Sequence, residues 1–158
     1  MSLLRTRSYA SPVAGPLILR VSELGVRSIE FGEESSIPRS AASNPILDKL
    51  TEELERYFSG EPVKFTVPLD LAGAGPFRLR VWRVLQEIPY GEVRSYGWVA
   101  AAAGVPKAAR AVGGANGSNP IPIVIPCHRV VRSDGSLGGY SSGIEIKRKL
   151  LELEGIYF

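Results

Sequence analysis

A single cysteine, Cys127, stands beside a single histidine, His128, in a chain of 158 residues. Any reaction that needs a thiol must use the first, and any that needs an imidazole must use the second. A free thiol has a pKa near ~8.5, so a useful nucleophile needs a base or a positive field close by. His128 and Arg129 are the neighbouring sources of both. The same counts exclude an intrachain disulfide and a structural zinc centre, which takes four Cys or His ligands. Neither a metal nor a cofactor is expected.

Prolines at 120, 122 and 126 interrupt residues 119–131, NPIPIVIPCHRVV, and forbid a helix interior or a central sheet strand. The segment reads as irregular and extended, and adjacent side chains of an extended chain point to opposite faces. His128 then reaches the Cys127 sulfur only through a local bend or a bridging water. On adjacency alone, an inert buried thiol beside a hydrogen-bonded core histidine is the commoner arrangement.

The elements that must hold this segment follow from pattern. With 44% hydrophobic and 22% charged residues, the chain can bury the core of one domain or of two small ones. No apolar run approaches the ~20 residues of a membrane span. The N-terminal MSLLRTRSYASP lacks the apolar centre of a secretory leader. A soluble, cytoplasmic protein without a membrane partner is expected. In the first part, residues 17–21 and 26–31 read as strands around a turn at 23–25. Residues 44–58 read as an amphipathic helix with Asn44 as N-cap, Pro45 behind it and Gly60 past its end. Residues 64–69, where Phe65 and Val67 alternate with polar positions, add a third strand.

The Gly-rich stretch LAGAGP divides the chain into residues 1–70, a linker at 71–76 and residues 77–158. Phe77, Val81, Val84, Leu85 and Ile88 then recur at helical spacing, with Pro89-Tyr90-Gly91 as the stop. Ser95 caps a short helix that Gly104 ends, and Pro106 opens another from Lys107 to Gly114, giving the outline of a helix-turn-helix. A Gly/Ser loop at 133–143 and a helix at 144–154 complete the chain. The fold class is α+β: a small N-terminal α/β domain followed by a mainly helical, winged-helix-like C-terminal domain.

The net charge of +3 divides as −2 over residues 1–70 and +5 over residues 71–158. That excess suits an anionic partner, nucleic acid being the commonest, although a solvated basic surface fits as well. The second short helix is poorly equipped to read base edges, which takes several Arg, Asn or Gln side chains. It offers Ala108, Ala109, Ala111, Gly113, Gly114 and Ala115 around one long cation, Arg110. Small residues permit close approach to a minor groove, and one projecting cation can occupy the space a displaced base leaves. An Ala-rich core helix is the alternative. Taken singly, Tyr96 reads as a core aromatic, Asn119 as an Asn-Pro turn starter and Glu154 as an exposed helix-end carboxylate.

In combination these segments point elsewhere. IPCHRVV, preceded by KAARAVGGANGSNP and followed by GGYSSG and KLLELEG, resembles the O6-alkylguanine-DNA alkyltransferase family, in which PCHRV is the active-site signature. The likeness spans residues 76–156 and includes PFR at 76–78 and GEVRSY at 91–96. It implies that Cys127 accepts the alkyl group, that His128 is its base through a water, and that Glu154 orients His128. It further implies that the Tyr96 hydroxyl donates to a ring nitrogen of a flipped guanine and that Asn119 orders the active-site turn. Gly139, Tyr140 and Ser141 would line the alkyl pocket with Pro122, the Ser141 amide meeting the departing oxygen. The carbonyls of Cys127 and Val130 would accept from guanine's exocyclic amine. Arg110 would be the finger that holds the nucleotide out, with Ala109, Ala111, Gly113 and Ser95 on the same DNA face.

The activity so implied is single-turnover removal of an alkyl group from O6-alkylguanine in duplex DNA by a monomer. A lesion-binding helix-turn-helix protein without transfer activity, and a cysteine hydrolase, are the competing readings. The chain lacks the ligands for the zinc that some family members carry in their first domain. Gly97-Trp98 stands where many have polar residues. Relatives that bind lesions without repairing them have lost the cysteine, which is present here.

Overall fold

The computed structural model describes residues 4–32 and 43–158. Met1 to Leu3, the start of the stretch read for a leader, lie outside the described residues. Contacts divide the chain into two compact units, Met1–Ala72 and Gly73–Phe158.

In the first unit, β1 (Arg5–Ser11), β2 (Gly15–Val21) and β3 (Val26–Phe31) form an antiparallel sheet in that order. Arg5 pairs with Val21 and Leu17 with Phe31. Helix α1 (Pro45–Phe58) begins where the Asn44 side chain accepts hydrogen bonds from the Ile46 and Leu47 amides, both at 3.0 Å. Its apolar stripe of Leu47, Leu50, Leu54 and Tyr57 is fully buried, as are Leu17, Leu19 and Val21 of β2.

One local expectation needs correction, and one strand is not anticipated. Residues 64–69 keep the alternation of exposed and buried side chains, yet they form no strand. Their backbone groups are taken elsewhere: the buried Glu53 carboxylate of α1 accepts from the Thr66 and Val67 amides and from the Thr66 hydroxyl. One bridge to the sheet remains, between Leu69 and Val26. It requires glycine at 25, because a Cβ there would lie 2.5 Å from the Pro68 carbonyl oxygen. Conversely β1, with the polar sequence RTRSYAS, carries no apolar alternation that would mark it as a strand; β2 supplies its pairing.

The second unit packs three helices together: α2 (Pro76–Gln86), α3 (Tyr96–Ala102) and α4 (Ala109–Gly117). Ser95 caps α3, its hydroxyl accepting from the Trp98 amide at 3.0 Å. The expected second helix is displaced: α4 starts two residues later than Lys107 and runs three past Gly114. Pro106 sits in a turn closed by Ala108 N–H to the Val105 carbonyl, which delays the start. Gly113 and Gly114 stay helical because Val112 and Ala115 bury the face they share, and the Trp82 indole N–H donates to the Ala115 carbonyl at 2.8 Å.

Beyond α4, the proline-rich segment turns back and ends in a 3-10 turn, Cys127–Arg129, followed by β5 (Val130–Val131). β5 pairs in parallel with β4 (Arg94–Ser95), immediately before α3. Helix α5 (Ile144–Leu153) then delivers Glu154 as its C-cap.

Candidate active site

The 3-10 turn at Cys127–Arg129 supplies the local bend that an extended segment would have lacked. Its geometry is fixed from behind by Asn119. That side chain accepts from the Ile121 amide at 2.9 Å and donates to the Ile125 carbonyl at 2.7 Å. It thereby spans Ile123, a β-branched residue held at φ 76°. Such a conformation costs about 1–3 kcal/mol and persists only where surrounding bonds impose it. The Cys127 amide donates to the Ile125 carbonyl at 2.7 Å, and Asn116 donates through Nδ2 to the Cys127 carbonyl at 3.3 Å.

Cys127 is 4% exposed. Burial pushes its thiol up, while hydrogen bonds with the Asn119 and Tyr140 side chains and the nearby Lys147 charge act in the opposite sense. The resting group is a protonated thiol, so it could act as a nucleophile only if a base took its proton.

His128 is fully buried, and its Nε2–H donates to Glu154 Oε2 at 2.5 Å. Burial holds the imidazole below its ordinary pKa against the pull of Glu154. The ring is therefore neutral at physiological pH, and with the proton on Nε2 the acceptor nitrogen is Nδ1. Glu154 is not the exposed carboxylate of a lone helix end. It accepts from His128, from Arg129 Nε at 2.8 Å and Nη2 at 3.2 Å, and from the Gly91 amide at 2.9 Å. Burial would raise its pKa; the hydrogen bonds and charges of His128 and Arg129 hold it at about 2. At physiological pH His128 is neutral, so there Arg129 is the counter-charge that keeps this carboxylate ionised; a charge on His128 adds only at the acid pH where the imidazole is protonated.

A cavity of about 260 Å³ lies alongside. Tyr96 lines it from the start of α3, Gly113 and Asn116 from α4, and Gly139, Tyr140 and Ser141 from the loop before α5. Burial raises the Tyr96 hydroxyl pKa, and proximity to Cys127 adds to the rise, against an opposing Arg132 charge. The hydroxyl thus stays protonated, a donor rather than a base. Val130 and Pro122 are buried outside this lining. Arg110 and Ala111 are exposed on α4, with Ala109 half-buried. Trp98 is exposed, with the Arg94 guanidinium 5.2 Å from its ring centre. Among the described residues no cluster of His, Cys, Asp and Glu forms a metal-ligand set, and no helix is long and apolar enough to cross a membrane.

Two residues of the site are not evident from sequence pattern. Lys147 is fully buried, its Nζ donating to the Val130 carbonyl at 2.6 Å and the Gly139 carbonyl at 3.1 Å. Burial draws its pKa down to about 8, with Cys127 opposing that fall. A signal for it exists: Lys147 falls on the same helical stripe as Leu150, Leu151 and Glu154. Asn116 likewise shares a stripe with Val112 and Ala115, but a helix ended at Gly114 leaves it in a loop.

The family model described as "6-O-methylguanine DNA methyltransferase, DNA binding domain" matches residues 76–156, and its companion "ribonuclease-like domain" matches residues 4–71. A methylated-DNA–protein-cysteine methyltransferase from Methanosarcina acetivorans is 44% identical over 151 residues, covering 93% of this chain and 96% of its own. One from Mycobacterium tuberculosis is 44% identical over 155 residues, covering 96% and 93%. The crystal structure of Mycobacterium tuberculosis OGT in complex with DNA superposes with a TM-score of 0.83 at 45% identity, covering 95% of this chain and 92% of that one. Over nearly its whole length, then, the chain belongs to the 6-O-methylguanine DNA methyltransferase family.

Proposed function

We propose that this protein is a methylated-DNA–protein-cysteine methyltransferase that binds duplex DNA and moves the alkyl group of O6-alkylguanine onto Cys127. The observation that carries the reading is a buried thiol beside a neutral imidazole whose tautomer is set by a carboxylate ionised at physiological pH. His128, through a bridging water, takes the Cys127 proton, and Glu154 bears the imidazolium that forms. The thiolate attacks the alkyl carbon in line; the C–S bond forms as the C–O bond breaks. Electrons pass to guanine, whose developing charge Tyr96 neutralises by donating to a ring nitrogen, with the Ser141 amide at the oxygen. The thioether is stable, so each molecule acts once. The protein works as a cytoplasmic monomer without a cofactor, residues 77–158 carrying both DNA binding and transfer.

Incubation with a duplex containing O6-methylguanine is expected to add one methyl mass to the peptide bearing Cys127. Folded, DNA-bound protein that gains no adduct would overturn the reading. It would favour a lesion-binding module; turnover without a lasting adduct would favour a hydrolase.

Arg110 projects from α4 and is assigned to hold the flipped nucleotide out of the helix. Unstacking a base costs a few kcal/mol, so Arg110→Ala is expected to slow repair of duplex lesions by about tenfold to a hundredfold. Reaction with free O6-benzylguanine, which needs no flipping, should hold. Parallel single-turnover rates on the two substrates check this.

Lys147→Met removes a cation whose burial is costly and also the donor that ties the Val130 carbonyl to the Gly139 carbonyl. These effects oppose each other, so stability should change by less than about 2 kcal/mol. The transfer rate should fall, because the Gly139–Ser141 loop loses its tie to the acceptor turn. Denaturant titration and adduct formation, measured on one preparation, separate the two effects.

A further inference from the structure

The two-stranded ribbon of β4 and β5 ends in a pair of neighbouring side chains. Arg94 pairs with Val130 and Ser95 with Val131 in parallel register, so the residues that follow, Tyr96 and Arg132, leave the ribbon side by side. Their side chains stay together: a Cβ at Gly138 would lie 3.6 Å from each of Tyr96 Cε2, Arg132 Cγ and Lys147 Nζ. Tyr96 and Gly139 line the cavity, and the Gly139 carbonyl accepts from Lys147. Arg132 therefore stands at the cavity edge, on the side built by Tyr96 and the loop before α5.

Arg132 is exposed, and its guanidinium makes no ion pair or hydrogen bond among the described residues. Asp134 belongs to the same turn, yet its Oδ1 accepts from the Ser136 amide at 2.9 Å and the Ser136 hydroxyl at 2.6 Å instead. The backbone beneath the cation is fixed: the Arg132 amide donates to the Ser136 carbonyl and the Gly135 amide to the Arg132 carbonyl, both at 3.0 Å. Its charge reaches the cavity wall, opposing the burial-driven rise at Tyr96 and adding to the burial-driven fall at Lys147. A nucleotide turned into this cavity leaves its two flanking phosphates at the mouth. Arg110 is assigned to the gap in the duplex, so it does not supply their counter-charge. A guanidinium fork matches a phosphate, and such a contact sets position rather than reading sequence.

We infer that Arg132 binds a phosphate flanking the flipped nucleotide and so holds the lesion in register with Cys127. This rests on the alkyl-transfer reading above and deepens it. The extruded nucleotide is then gripped beside Tyr96 through its backbone, whatever alkyl group it carries.

The test measures single-turnover methyl transfer, below saturation, from duplexes in which one phosphate beside O6-methylguanine is replaced by an uncharged methylphosphonate, on one side or the other. In the parent, one of the two replacements should slow transfer about tenfold, the worth of a hydrogen bond between charged groups. Arg132→Gln should react about tenfold more slowly with the unmodified duplex, with a salt dependence shallower by about one in logarithmic slope. In that variant the same methylphosphonate should cost less than about twofold more, because the contact it removes is already gone. Reaction with free O6-benzylguanine, which has no phosphate, should keep the parent's rate. A methylphosphonate cost equal in parent and variant, or absent from the parent, would overturn the inference while leaving the function standing. An equal loss on free O6-benzylguanine would do the same, placing the cation's effect on the chemistry. Failure of the parent to take methyl from O6-methylguanine would remove the function and the inference together.

Discussion

Cys127→Ser is expected to bind duplex DNA as the parent does and to gain no methyl mass from O6-methylguanine. The substitution preserves shape closely enough for the 3-10 turn, whose bonds run mainly through backbone and through Asn116 and Asn119; the sulfur's own bonds with Asn119 and Tyr140 are ones a hydroxyl can make. What it removes is a nucleophile that the site can ionise. The Cys127 thiol is already pushed above its ordinary pKa by burial, and the Asn119, Tyr140 and Lys147 groups only moderate that cost. A hydroxyl is a far weaker acid than a thiol, so the same neutral His128 cannot deprotonate it to a useful extent. Intact mass and gel-shift measurements on one sample check both halves. Adduct formation by the serine variant would show that the acceptor lies elsewhere.

Glu154→Gln is expected to cost about 3–5 kcal/mol of stability, the usual consequence of removing one partner from a buried ion pair. That is a large share of the roughly 5–15 kcal/mol typical of a domain. Glutamine keeps an acceptor for one donor but leaves Arg129, 6% exposed, without its counter-charge and His128 without its anchor. The pH dependence gives the same residue a second signature. Glu154 titrates at about 2 in the fold against an ordinary 4.5. Its folded pKa is depressed, so its contribution of roughly 3 kcal/mol is complete above pH 4.5 and is lost as pH falls towards 2. His128 is also depressed by burial, so loss begins earlier, as the unfolded imidazole takes its proton below ~6.5. Denaturant midpoints across that range should show both steps in the parent. In the variant the lower step should shrink, and an unchanged profile would count against the burial and pairing described for Glu154.

Local signals make parts of this molecule legible from its residues alone. Asn44 and Ser95 are short polar residues ahead of apolar periodicity, and both cap the helices expected after them. The harder cases involve groups that satisfy each other across long sequence separations. Residues 64–69 alternate like a strand, but Glu53 competes for their amides, and no local pattern reports that competition. Glycines 113 and 114 suggest a helix end, yet tertiary packing carries α4 past them and brings Asn116 to the site. Lys147 and Glu154 lie on an apolar stripe, where a charge signals a buried partner without saying which. Juxtaposition of His128 with Glu154 is visible in sequence only through family likeness.

The buried 3-10 turn at Cys127–Arg129 also bears on chemoselectivity. An unfolded chain exposes Cys127 as an ordinary thiol, open to oxidants and soluble electrophiles. Folding closes that route: the sulfur loses solvent access and the proton becomes harder to remove. The native thiol should therefore resist general alkylating reagents that modify the unfolded chain at once. On the function proposed above, it reacts only with an electrophile that the bound DNA presents with its carbon at the sulfur.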